Sequence, residues 1–182
     1  MAAVIVLIIL VVVAVMLVSM YNSLVLLRVR CDSAWSDIDV QLKRRHDLIP
    51  NLVETVKGYA AHEKETFENV AKSRAQAMQA TNPAETGAAE DQLTSALTGL
   101  FAVAESYPEL KASSQFTQLQ SSLTQTEELT QNARRYYNGV VRDLNTKIQS
   151  FPTNVLAGMF NFVPRQYFEM AESNREPVAV KF

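Results

Sequence analysis

The first 27 residues constrain this chain more than any other stretch. Met1–Val18 contains no charged side chain, and Ser19, Tyr21, Asn22 and Ser23 are the only polar residues before Arg28. As a helix rising about 1.5 Å per residue, the run is roughly 40 Å long, enough to cross a hydrocarbon core of about 30 Å with some tilt. A cleaved signal peptide would need a positive leading region, a short apolar core and small residues at the cut site. No Lys or Arg precedes the run, and Leu24–Leu27 carries it on without an A-x-A pattern. The expectation is an uncleaved transmembrane anchor over residues 1–27. Arg28, Arg30, Lys43, Arg44 and Arg45 all follow it, whereas only the α-amino group precedes it. The positive-inside rule then puts the N-terminus outside and the domain in the cytoplasm.

Beyond the anchor, 155 residues remain, enough for one domain and few for two. The net charge is −2 with acidic and basic residues interleaved, so nothing directs the chain to nucleic acid. A single Cys excludes an internal disulfide and a Cys-based zinc cluster. Cys31 reads instead as a small buried apolar group.

From Leu24 to about Gln79 the spacing is helical. Cys31, Ile38, Leu52 and Tyr59 fall in one heptad row and Trp35, Leu42, Ile49 and Val56 in the other, with Arg45 and Glu63 set into the same rows. The phase runs through Pro50 unchanged, so the reading is one long helix kinked there, with a sharp turn as the alternative. Phe67, Val70 and Ala77 continue the face after a one-residue slip. Asn82-Pro83-Ala84-Glu85 is a capping box that restarts the chain as a helix bearing Leu93, Leu97, Leu100 and Ala104. Ser106-Tyr107-Pro108-Glu109 opens a third helix to about Ser150. Its rows are Phe116, Leu123, Tyr137 and Leu144, and Leu119, Ala133 and Val140, with Thr126 and Thr130 weakening the middle. Residues 151–182 crowd Phe151, Phe160, Phe162, Tyr167 and Phe168 among three prolines, an irregular segment that either caps the bundle end or offers a contact surface. Val178–Phe182 reads as a frayed end.

The chain resembles the LemA family, small membrane-anchored helical proteins of bacteria. The resemblance rests on Tyr21-Asn22, on AWSDIDVQLKRRHDLIPNLVETVKGYAAHE (34–63), on ARRYYNGVVRDLNTKIQSFPTNVLAGMFNF (133–162) and on Tyr167-Phe168-Glu169. It implies a four-helix bundle. Residue patterns alone give three strong helices and leave the fourth to a break at Pro50 or to the C-terminal segment. The expected fold is therefore all-α: a transmembrane helix (1–27) running into an antiparallel four-helix bundle of long coiled helices (28–150), then the aromatic-rich segment (151–182). Some family members resemble lipoproteins with a modified Cys before the Tyr-Asn, which puts the domain outside the cytoplasm. Here Cys31 lies beyond two arginines, and an extracytoplasmic domain is kept as the alternative.

No catalytic, cofactor or metal signature is visible. His46 and His62 lie sixteen residues apart on the expected helix, too far to share an ion, and no HExxH, G-x-S-x-G or Gly-rich phosphate loop occurs. The chain reads as a non-enzyme without cofactor. Arg45 is expected to pair inside the bundle with Glu54, Glu63 or Asp143 while Lys43 and Arg44 face water. A second reading makes Lys43, Arg44, Arg134, Arg135 and Arg142 a basic strip for an acidic partner or anionic headgroups. Phe160, Phe162, Tyr167 and Phe168 are the matching aromatic candidates. The leading functional expectation is a membrane-anchored scaffold of the bacterial envelope that self-associates through its long first helix as a homo-oligomer. The resemblance implies links to membrane-protein quality control, including a membrane metalloprotease of the HtpX type, and to magnetosome membranes. The alternative is direct lipid binding or membrane shaping by a coat of copies.

Overall fold

In the computed structural model, residues 1–169 are described, and among them the secondary structure is all α-helical. Six helices follow in order: α1 (Ala2–Lys57), α2 (Lys64–Gln79), α3 (Pro83–Glu105), α4 (Pro108–Lys111), α5 (Ser114–Gln149) and α6 (Thr153–Met159). Val178–Phe182, expected to be frayed, lies outside the described residues. The chain divides into two units. One comprises Met1–Ile38 and Asn132–Gln166, and the other comprises Asp39–Gln131 with, among the described residues, 167–169.

In the first unit, α1 begins with an apolar stretch long enough to be a candidate membrane span, none of it buried. Leu24 is the first buried side chain, followed by Cys31, Ala34 and Ile38. These spacings of seven, three and four put one narrow stripe against α5, which answers with Tyr137, Val141, Leu144 and Ile148. The two helices run antiparallel. Trp35 lies 5.3 Å from Tyr137 between ring centroids, and Lys147 Nζ donates to Ser23 Oγ at 2.6 Å. α6 ends at Met159 with Phe160 as its C-cap, and Asn161 follows with a φ of 54°, a left-handed conformation that Asn tolerates. The Phe162 N–H then closes back on the Ala157 carbonyl at 2.9 Å. Beyond it an extended strap is fastened by side chains. Asn145 donates to the Arg165 carbonyl and accepts from its N–H, at 2.9 and 2.8 Å, and Tyr137 Oη donates to the Gln166 carbonyl at 2.9 Å.

The second unit is a four-helix bundle of the later part of α1, α2, α3 and the earlier part of α5, around a core that includes Leu52, Val56, Val70, Leu93, Leu100 and Leu123. Contacts fix alternating directions. Lys57 reaches the Phe67 ring at one end of the α1/α2 pair while Arg74 reaches His46 further along. Phe101 meets Phe116 across α3 and α5. Leu110 of the single-turn α4 is fully buried and closes one end. Thr126 and Thr130, which dilute the apolar seam, donate to the carbonyls of Ser122 and Thr126 on their own helix at 2.8 Å each. Their hydroxyls therefore need no partner across the core.

Several boundaries differ from the sequence reading. α1 does pass through Pro50 as one helix. Proline has no N–H for the carbonyl four residues back, and the orphaned His46 oxygen accepts instead from Arg74 Nε at 2.8 Å. The fourth helix arises from a break at residues 58–63, not at Pro50. Tyr59 consequently leaves its row and is exposed, and Glu63 sits before α2 as a cap without a side-chain bond. Only Gly58 hints at this break in the sequence. The third predicted helix is likewise divided: α4 stops after one turn, no cap forms from Ser106, and Ser113 restarts the chain, its Oγ accepting from Phe116 N–H at 3.5 Å. At α3 Asn82 caps Glu85 N–H at 3.0 Å, but the Glu85 carboxylate reaches past Asn82 to the N–H and hydroxyl of Thr81. Those bonds hold its pKa below the ordinary carboxylate value, so the cap is ionised at neutral pH.

Candidate functional site

The most concentrated polar chemistry of the second unit lies inside the bundle. Arg45 and His46 are consecutive on α1, and both are buried. Glu90, one turn before Thr94 on α3, is almost wholly enclosed and occupies a buried row with Thr86, Leu93 and Leu97. Its two oxygens are divided between the α1 pair: Arg45 Nη1 donates to Oε2 at 2.8 Å, and His46 Nε2 lies 2.6 Å from Oε1. Thr94 Oγ1 accepts from Arg45 Nη2 at 2.9 Å and donates to the Glu90 carbonyl at 2.8 Å. From α5, Glu127 Oε2 stands 3.2 Å from Arg45 Nη1. This atom is buried and lacks a hydrogen bond, so its contact with the guanidinium is electrostatic. The other Glu127 oxygen accepts from Gln131 at 2.9 Å. A cleft of about 410 Å³ opens beside the group, lined in part by Arg45, Thr94, Phe101, Leu123 and Glu127.

The arrangement cross-links three helices by charge. Arg45 thus has two carboxylates of its own chain at ion-pair distance, 2.8 and 3.2 Å. Arg45 was legible from its heptad position. Its expected partners were not the ones found: Glu54 is exposed and pairs with Lys57 at 2.9 Å, Glu63 lies in the α1–α2 turn, and Asp143 is exposed beside Arg142. Glu90 was missed. The available signal was a Glu recurring in step with Leu93 and Leu97.

The basic residues proposed as a strip fall into different units. Lys43 and Arg44 are exposed on α1 in the second. In the first, Arg134 is half-buried and partnered, Arg135 donates to Asn132, and exposed Arg142 joins Arg30 and Lys147 around a shallow cleft of about 700 Å³. Of the aromatic candidates, Phe162 and Phe168 are buried, which removes them from any open contact surface, while Phe160 and Tyr167 are exposed. Tyr21 packs edge-on against Phe160 and Phe162, with centroids at 4.8 and 5.9 Å, and Arg28 lies over the Phe162 ring at 5.2 Å. Burial pushes the Cys31 thiol above its ordinary pKa, with Arg165 opposing. Burial likewise raises Tyr137.

The chain is similar to magnetosome protein MamQ 2 of Paramagnetospirillum magneticum, 26% identical over 184 residues that cover 87% of this chain and 68% of that one. It is similar to the magnetosome protein MamQ of Magnetospirillum gryphiswaldense at 23% over the same shares. To the protein LemA of Metamycoplasma hominis it is 28% identical over 150 residues, 80% of this chain and 67% of that one. A model of the LemA family matches residues 34–182, and on that match, which takes in both units, the chain belongs to the LemA family.

Proposed function

We propose that this protein is a membrane-anchored helical scaffold of the bacterial envelope that works by self-association and protein contact rather than by catalysis. The observation that carries the reading is α1 itself: one unbroken helix begins as an exposed apolar span and ends by supplying the core and buried charges of a bundle. Backbone continuity of this kind suits an anchor that presents a folded surface. The Arg45 cluster ties α1 to α3 and α5 through carboxylates of the same chain, which suits a structural brace better than a reaction centre. Likeness to magnetosome proteins supports a role in organising a cellular structure. The arginines after the span favour a single pass with the domain in the cytoplasm, where it would meet envelope partners such as a membrane metalloprotease.

Exposed Val40 on α1 gives the test. In a Cys31→Ser background, Val40→Cys in native membranes should yield covalent dimers with a short bifunctional thiol reagent. Lys43→Gln with Arg44→Gln should reduce recovery of a bound partner without changing helicity. Arg45 is left intact, because its burial makes it part of the fold. Monomers alone, at native expression and with reagent in excess, would sink the self-association reading.

A further inference from the structure

The antiparallel register in the first unit fixes which part of α5 lies beside which part of α1. Tyr137 faces Trp35 and Lys147 faces Ser23, so one further turn brings Phe151 level with the region of Ser19. An independent contact agrees, since Phe160 stacks edge-on against Tyr21 at 4.8 Å. About 20 helical residues cross a hydrocarbon core of about 30 Å, and the unbroken apolar run of α1 gives way to polar side chains at Ser19, Tyr21, Asn22 and Ser23. The turn after α5 and the whole of α6 are therefore at the level where α1 leaves the bilayer.

Their composition suits that level. Residues 148–164 contain no charged side chain. α6 turns Thr153, Leu156 and Ala157 inward, while Phe151, Val155 and Met159, spaced by four, stand outward at 83%, 55% and 70% exposure. Phe160 and Val163 widen the patch. Such a contiguous apolar surface is unfavourable in water, and here it adjoins the apolar span. Cations border it, with Arg28 over the Phe162 ring and Lys147 on Ser23. That is the distribution of a segment seated at a headgroup boundary.

We propose that α6 and the turn before it form a second membrane contact, lying in the interface of the bilayer that α1 crosses, with Phe151, Val155 and Met159 among the acyl chains. The proposal rests on reading α1 as a span, and the experiment separates the two. Trp35→Phe removes the only Trp. Into that full-length chain, reconstituted in bilayers, Phe151→Trp, Val155→Trp or Met159→Trp is placed singly, with Leu10→Trp as the span control and Ala88→Trp as the aqueous control. Lipids brominated near the carbonyl should quench the position in the turn and the two in α6 more than lipids brominated near the chain ends. Leu10→Trp should show the reverse preference and Ala88→Trp no quenching. If Leu10→Trp is quenched while the α6 positions behave like Ala88→Trp, the proposal is overturned and the span stands. Blue-shifted α6 emission without quenching would mean that protein, such as a second copy, covers the patch, which also overturns it. No quenching at Leu10→Trp would remove the span and this proposal together.

Discussion

Arg45, His46 and Glu90 show how little of a buried interaction can be read from one side of it. A charge in a heptad row announces burial, and burial announces a counter-charge. The identity of that counter-charge depends on which helix is adjacent, which spacing along one helix does not encode. The energetic consequence is asymmetric. Removing one partner of a buried ion pair leaves an uncompensated charge, whereas replacing both with apolar groups is often neutral. Arg45→Ala and Glu90→Ala should each lower stability by about 3 kcal/mol, measured by thermal or urea unfolding of the second unit in detergent. Arg45→Met combined with Glu90→Leu should cost less than the sum of the two single losses, although it leaves Glu127 Oε2 and the His46 ring without their partners; additive destabilisation would contradict the brace. If the double variant is stable yet fails to cross-link through Val40→Cys, the charges serve specificity of assembly.

Among the elements, α1 carries the most informative defect. Pro50 deletes one bond of the helical ladder, and Arg74 of α2 supplies the replacement. Arg74→Ala should therefore cost about 1–3 kcal/mol, the usual penalty for a buried acceptor left unpaired. In a Pro50→Ala background, the restored N–H can serve the His46 carbonyl, so the same substitution should cost clearly less. Equal losses in the two backgrounds would show that Arg74 does not repair the proline gap. Element existence was largely legible: the all-helical class, the candidate span, the passage through Pro50 and the Asn82 start all follow from spacing and cap chemistry. Element ends were less so. The break at residues 58–63 has neither proline nor a capping side chain, and the division at Ala112–Ser113 is marked only by Ser113, whose hydroxyl accepts from Phe116 N–H. Both are imposed by packing, with Ala60 and Leu110 buried at the turns.

At the scale of the molecule, the first question is which compartment receives the second unit. The chain suits a direct answer, because Cys31 is buried with its thiol held protonated and reacts slowly even before it is replaced. In Cys31→Ser, Ala88→Cys on exposed α3 should react with a membrane-impermeant thiol reagent only after lysis. Labelling of intact cells, with the outer membrane permeabilised, would reverse the orientation drawn from the arginines. One residue of the bundle has a wider meaning. His46 is held twice from different directions, its carbonyl by α2 and its ring by α3. A misassembled bundle would strand a carbonyl, a guanidinium or a carboxylate in a dry interior, so the flaw that Pro50 introduces acts as proofreading: the helix is whole only in the company of its correct neighbours.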